Sequence, residues 1–301
     1  MLELRRLVLL RDLAAKRTVT AVAALHRITP SAVSQQLRVL EREAGAPLVQ
    51  RRGRALVLTP AARMLVEYAE RALHELEQGR AAVAALRNEV TGTLVLGCFA
   101  CGIPRFAAGL VAATARQHGG LRVEIVETEP DQSLSALKAH RLDAAVIYHY
   151  PLADLAVPAG ITRIPLLADP LVLVTPRSWA LGETTLSGLA ERPWISYPTG
   201  NWCASATTTA CTDAGFSPDV HHVCDCYDSV LSLVGAGAGA ALVPQATVGR
   251  GGDYAITAHP DATRHIERHV ELAIRDGSST NPVIATAARI LREIAADSDP
   301  L

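Results

Sequence analysis

No stretch of this 301-residue sequence is long and apolar enough to span a bilayer; the nearest candidate, Val230 to Val243, is too short and too rich in glycine. The first residues lack a signal-peptide pattern, because the apolar run Leu7–Leu10 is bounded by Arg5, Arg6 and Arg11 and is shorter than an h-region. A cytoplasmic protein with no membrane partner is expected. Catalytic signatures are missing as well. There is no GxxxxGKS/T phosphate loop, no HExxH and no GxSxG, and the scattered His and Ser residues suggest no triad. An enzyme is therefore not expected, nor is a cofactor. Lysine is almost absent: of 29 basic residues only Lys16 and Lys138 are lysines, a compositional bias from which no chemistry follows.

What is present describes a globular protein. Residues of the AVILMFWYC set make up 49% of the chain and charged residues 20%, which excludes a disordered chain, and the length fits two or three domains. The net charge of −1 hides an asymmetry. Residues 1–60 carry 11 Lys and Arg against 4 Asp and Glu, a balance of +7; residues 61–301 carry 18 against 26, a balance of −8. A basic head on an acidic body implies that the head meets a polyanion. The six cysteines, at 98, 101, 203, 211, 224 and 226, are expected to be reduced in such a compartment rather than to form a disulfide framework.

The head reads as three helices and a hairpin. Residues 3–15 have roughly helical apolar spacing. Thr18 is a candidate N-cap for a second helix over VTAVAAL, and Thr29-Pro30 is a cap-plus-proline start for a third, ending at Gly45. In the third helix Val33, Leu37 and Leu40 must face inward, which puts Ser31, Ser34, Gln35 and Arg38 on one outer face. These short hydrogen-bonding side chains, ending in a guanidinium, have the reach to contact base edges and phosphates from a major groove. The runs Leu48–Gln50 and Ala55–Leu58 then flank Arg51-Arg52-Gly53-Arg54, a hairpin with guanidiniums at its tip, suited to phosphates. The sum is a winged helix-turn-helix over residues 1–59.

The stretch TVTAVAALHRITPSAVSQQLRVLEREAGAPLVQRRGRALVLTPAA, residues 18–62, closely resembles the DNA-binding domain of LysR-type transcriptional regulators. The resemblance implies double-stranded DNA as partner. It places Thr29, Pro30, Ser31, Ser34, Gln35 and Arg38 against it, with Arg51, Arg52 and Arg54 on the wing. The family often has a basic residue where this chain has Gln35, so a preferred operator sequence is not inherited.

Thr59-Pro60 repeats the start signal, and residues 60–89 form a linker helix. Its small or apolar residues Ala61, Leu65, Tyr68, Ala72, Leu76, Gly79, Val83 and Leu86 keep close to a seven-residue repeat. Packing on the chain's own body is one way to bury this stripe; pairing with a second copy is favoured, and the resemblance implies the same dimerisation helix. A homodimer, extended to a homotetramer by other interfaces, is expected, with RNA polymerase as a further partner.

From Thr93 onward β-like and helical segments alternate, which implies parallel or mixed sheets with helices on both faces, an α/β fold. This part, residues 90–301, resembles the effector-binding domain of the same regulators, which is built like a periplasmic binding protein: subdomain I from 93–165 and 268–296, subdomain II from 166–267. Gly235, Gly237 and Gly239 follow a helix and precede a strand, the wrong order for a dinucleotide loop, so they read as tight packing. Ligands in such folds sit beyond the strand ends, between lobes. That criterion selects Phe99, Ala100, Cys101, Ile103, Thr128, Tyr148, Thr199, Gly200, Asn201, Trp202 and Cys226 as effector contacts, with Thr199 to Trp202 suited to anchoring a carboxylate at a helix N-terminus. Phe99, Ala100, Cys101 and Ile103 stand where the family commonly has Ser or Thr, so the pocket is expected to be less polar. The cysteines leave three readings open: buried small apolar residues, a redox pair of Cys203 and Cys211 in the region where peroxide-sensing members of the family carry theirs, or a metal site drawing on Cys98, Cys101, Cys224, Cys226, His221 and His222. Beside the effector-controlled regulator, two further functions stay open: an enzyme with an accessory DNA-binding head, and an architectural DNA binder without an effector.

Overall fold

The structure, a computed structural model, describes residues 1–52, 55–86, 90–151, 158–248, 254–263 and 266–297, with backbone only at 51, 52, 55 and 56. The head consists of α1 (Leu4–Lys16), α2 (Val19–His26), α3 (Pro30–Ala44) and an antiparallel hairpin of β1 (Val49–Arg52) and β2 (Ala55–Leu58). The local signals act as expected. The Thr18 hydroxyl accepts from the Ala21 N–H, the Thr29 hydroxyl accepts from the Ala32 N–H, and Gly45 closes α3 at φ 66°. Leu10, Val22, Val33, Leu37, Leu40 and Leu48 form the buried centre. Glu41 ties α3 to the hairpin by accepting the N–H groups of Leu48 (2.8 Å) and Val49 (3.1 Å).

Helix α4 (Pro60–Leu86) leaves the head through Thr59, whose hydroxyl accepts the Ala62 N–H at 3.1 Å and donates to the Pro47 carbonyl at 2.8 Å. At 1.5 Å per residue it is about 40 Å long. It has two apolar faces. Ala69, Glu77 and Ala81 are buried, and Glu77 meets Arg275 of the body at 3.4 Å. On the other face Ala61 and Leu65 pack on the head, whereas Tyr68, Leu76, Val83 and Leu86 are 59%, 54%, 60% and 86% exposed. The helix therefore packs on its own body and still leaves most of the seven-residue stripe open.

The body is a mixed α/β fold of two lobes. In chain order it runs β3 (Gly92–Cys98), α5 (Ala108–Gln117), β4 (Leu121–Glu127), α6 (Pro130–Lys138), β5 (Ala144–His149), β6 (Ile161–Pro176), β7 (Pro193–Ser196), α7 (Trp202–Asp213), β8 (Asp219–Val223), α8 (Tyr227–Gly235), β9 (Ala241–Pro244), β10 (Ile256–His259), β11 (Glu267–Arg275) and α9 (Pro282–Ala296). The path β10-β6-β11-β5-β3-β4 holds six strands, with β9 also on β6. β3 is parallel to β4 and β5, and β11 is antiparallel to β5 and β6. The sixteen residues of β6 join the lobes: Ile161–Pro170 pair with β11, and from Leu171 onward the partners are β9 and β10. The change of partner thus falls a few residues beyond 165/166. Strand β10 has no counterpart in the sequence reading, because four residues carry too little alternation to register. The packing expected of the 235–239 glycines is present: a Cβ on Gly239 would lie 2.8 Å from the Pro193 carbonyl oxygen, and Gly237 takes φ +91° in the turn after α8.

Head, linker and body meet along one polar seam. Lys16 Nζ donates to Ser135 Oγ and Lys138 Nζ to Glu70 Oε1, each at 2.8 Å. Arg11 Nη2 donates to the Lys138 carbonyl at 3.2 Å, and its Nε to Asp12 Oδ1 at 2.8 Å. Both lysines of the chain therefore lie at this junction.

Candidate functional sites

The first site is the outer face of α3. Val33, Leu37 and Leu40 are buried, while Thr29, Pro30, Ser31, Gln35 and Arg38 are exposed and Ser34 is half-buried. Their few contacts are local: Ser34 Oγ donates to the Pro30 carbonyl at 3.0 Å, and the Thr29 and Ser31 hydroxyls lie 2.9 Å apart. Among the described residues Arg38 reaches only the Ser34 carbonyl, at 3.4 Å. A face of short donors that is not absorbed by the fold is free to exchange water for base edges. Of the wing residues, the side chains of Arg51 and Arg52 and all of Arg54 lie outside the described residues.

The second site is a cavity of about 520 Å³ between the lobes, lined by the ends of β3, β5, β7 and β8 and the starts of α6, α7 and α8. Of the expected contacts, Phe99, Ala100, Cys101, Tyr148, Asn201 and Cys226 line it. Ile103, Thr128, Thr199, Gly200 and Trp202 do not. Ile103 and Trp202 pack partly buried against the core, Thr128 bonds to Gln132 at 3.4 Å, and Thr199 and Gly200 turn out to solvent, Gly200 at φ +90°. The carboxylate anchor expected at Thr199 to Trp202 is thus reduced to Asn201. The sequence reading missed Pro104, Glu129, Tyr197, Asp225, Tyr227, Asp228 and Thr247 as lining residues, and treated Cys203 only as a cysteine. Pro104 sits in a wide π-turn, Ile103–Ala107, that opens the start of α5 beside the cavity.

Aromatic residues are only 4% of the chain, yet four of its six tyrosines gather here. They surround one thiol. Cys203 Sγ lies 3.0 Å from the Tyr227 hydroxyl, 3.3 Å from that of Tyr150 and 4.0 Å from that of Tyr148. The thiol is fixed from its backbone, since Asn201 Oδ1 accepts the Cys203 N–H at 2.7 Å and caps α7. Tyr148 donates to Glu129 Oε2 at 2.9 Å and Tyr197 to the Leu242 carbonyl at 3.1 Å. Burial, with Cys203 nearby, pushes the phenols of Tyr148, Tyr150, Tyr197 and Tyr227 up, so they remain neutral donors. Burial also raises the carboxyl of Glu129, against the hydrogen bond from Tyr148, and Asp225 adds to the rise.

Behind the rings lies Arg268, 4% exposed, its guanidinium 5.3 Å from the Phe99 ring and 5.5 Å from that of Tyr148. It bonds to Asp169 Oδ2 at 2.5 Å and to Cys101 Sγ at 3.1 Å. These two residues are register partners on β11 and β6, at the point where the chain passes between lobes.

Two family models match the chain: the bacterial regulatory helix-turn-helix protein, lysR family, over residues 4–63, and the LysR substrate binding domain over residues 87–296. The chain belongs to the LysR family of transcriptional regulators. It is a DNA-binding regulator, and the LysR family is one of transcription factors rather than enzymes. Among curated relatives, the HTH-type transcriptional regulator IlvR of Caulobacter vibrioides is 30% identical over 72% of this chain and 74% of its own. A probable hydrogen peroxide-inducible genes activator of Mycobacterium avium is 26% identical over 78% of this chain and 75% of its own. Among solved structures, an OxyR variant of Corynebacterium glutamicum bound to hydrogen peroxide covers 99% of this LysR-family chain and 94% of its own, with TM-score 0.60 and 22% identity, a likeness of fold.

Among the described residues of this LysR-family protein, no helix is long and apolar enough to cross a membrane, and no three His, Cys, Asp or Glu side chains are placed to hold a metal ion. The two-lobe convergence that a cysteine metal site needs is therefore absent from that set.

Proposed function

We propose that the protein is an effector-controlled regulator that works as a homodimer assembling into a homotetramer, with residues 1–59 on double-stranded DNA, 60–89 pairing the chains and 90–301 binding a small molecule between lobes 93–165 plus 268–296 and 166–267. The observation that carries the DNA reading is α3: one face closes the core and the other, from Thr29 to Arg38, makes only local contacts among the described residues. Arg51, Arg52 and Arg54 serve as the phosphate-contacting wing in this reading, and RNA polymerase is a further partner. The exposed stripe of α4 supports self-pairing. Helix α6 supports the coupling, because it starts beside Glu129 at the cavity and ends at Lys138, which touches Glu70 of α4 and the head's Arg11. An effector that favours one arrangement of the lobes shifts this seam and with it the spacing of the heads.

Arg38→Ala is the direct test. If Arg38 reads a base, operator affinity falls by about 1–3 kcal/mol and sequence preference relaxes at one position. Titration of the variant against operator and scrambled duplexes at fixed salt distinguishes this from a phosphate contact, which weakens both alike. Unchanged binding to either would remove Arg38 from the interface.

A second reading, a thiol switch, is favoured by the Cys203 environment and by the peroxide-responsive relatives. It requires α7 to unwind. Cys203 and Cys211 lie eight residues apart on one helix, about 12 Å along its axis, beyond the roughly 7 Å that a disulfide tolerates between Cα atoms. Burial pushes the Cys211 thiol up to about 12, so it is a poor nucleophile while α7 is intact. Mass spectrometry after mild peroxide decides: a Cys203–Cys211 disulfide supports the switch, and reduced thiols throughout dismiss it.

A further inference from the structure

The charges that the described residues turn to the cavity are all of one sign. Glu129, Asp225 and Asp228 line it, and none of the described lining residues is basic. The starts of α6, α7 and α8 bring positive helix ends to the same place, roughly half a charge each. Their sum, about one and a half charges, is smaller than that of Asp225 and Asp228 alone. The protein also answers these helix ends itself, with Asp131 in the first turn of α6, Asn201 capping α7 and Asp228 in the first turn of α8. Arg268 does not offset the carboxylates either, for Asp169 neutralises it behind the ring wall. Among the described residues, an anionic ligand would therefore meet a negative field and no free cation.

The walls suit the opposite charge. Phe99, Tyr148, Tyr197 and Tyr227 give four ring surfaces, and ring faces attract ammonium groups. Glu129 is half-buried, has one oxygen on the Tyr148 hydroxyl, and leaves its helix uncapped by its side chain. Its burial disfavours the ionised form in the empty cavity, a penalty that an approaching cation relieves. The volume, about 520 Å³, is that of a metabolite site and far exceeds what a peroxide or a water molecule fills.

We propose that the effector is a small organic cation, an amine or quaternary ammonium compound, held by Glu129 and Asp225 against the rings of Tyr148 and Tyr227. The inference rests on the reading of this cleft as the effector site and adds the sign of the ligand's charge.

The test uses the full-length protein and calorimetric titration, with thermal melts alongside, at low and physiological salt. The probes are 1,4-diaminobutane and choline, set against succinate and butyrate, at up to millimolar concentration. The cations are expected to bind and raise Tm, more weakly as salt rises, and the carboxylates to do neither. Glu129→Gln and Asp225→Asn are each expected to weaken diamine binding about tenfold. Glu129→Gln should melt no lower than the parent near neutral pH, so its loss of binding is not a loss of fold. Succinate or butyrate binding as tightly as the diamine, or diamine binding indifferent to both substitutions, overturns the cationic assignment. If the carboxylates bind and Tyr227→Ala abolishes that binding, the cleft remains the effector site and only the sign is wrong. If no probe of either charge binds, the assignment and the cleft reading fall together.

Discussion

Leu76→Glu combined with Val83→Glu is expected to break the pairing of linker helices, halving the size of the assembly, and to lower operator affinity by a factor of about 10²–10⁴, the gain that joining two half-site contacts confers. The argument starts from exposure. Met64, Tyr68, Leu76, Val83 and Leu86 are all at least half exposed on one helix, a contiguous apolar surface that single soluble chains rarely leave open. The body does not close this stripe: α4 meets it through Ala69, Glu77 and Ala81, and although Leu76 and Val83 edge a groove toward Pro282, Val283 and Ile284, they stay 54% and 60% exposed. In a two-fold pair each substitution occurs twice, so two changes place four carboxylates in an apolar seam. Because Leu76 and Val83 belong neither to the head core nor to the cleft lining, the variant should keep its helical content and its ligand response. Sedimentation and duplex titration provide the readouts. A variant of parental size and operator affinity would show that the stripe does not pair the chains.

The sequence was most legible where chemistry is local. A threonine before a proline starts α3 and α4 where expected, and the spacing of Val33, Leu37 and Leu40 alone settles which face of α3 points outward. The alternation of strands and helices gave the α/β class; that Ile161–Pro176 is one strand crossing between lobes is seen only in the structure. The cavity was only half legible. Strand ends located its rim, but not which side chains turn inward. Thr199 and Gly200 were selected for a helix N-terminus and face solvent instead. Tyr148, Tyr150, Tyr197 and Tyr227 come from three separate stretches, and only the packing of two lobes brings the hydroxyls of Tyr148, Tyr150 and Tyr227 to one thiol. The same holds for the two lysines. As composition they carry no message; in three dimensions they join head, linker and body.

Arg268→Ala is expected to destabilise the effector domain by about 3–5 kcal/mol, because it strands the carboxylate of Asp169 without its counter-ion in the interior. For a domain of this size that corresponds to a fall in Tm of roughly 6–20 °C. Asp169 is 5% exposed, and its other oxygen accepts the Ala246 N–H at 3.2 Å, so water has little access to replace the guanidinium. The double variant Arg268→Met with Asp169→Leu separates the worth of the pair from the cost of breaking it. Replacing both ions by apolar groups of similar volume is often neutral, less about 1 kcal/mol for the Ala246 N–H left without its acceptor. Most of the lost Tm should therefore return. Denaturation of the parent, Arg268→Met, Asp169→Leu and the double variant gives the coupling energy directly, and a double variant no more stable than Arg268→Ala would refute the account. The recovered protein then reports on function. Asp169 and Arg268 face each other on β6 and β11 at the passage between lobes, and Arg268 also backs the Phe99 and Tyr148 rings and holds the Cys101 thiol. If the pair sets the angle of the lobes rather than the stability of either, the double variant melts close to the parent yet loses effector-dependent change in its footprint on DNA.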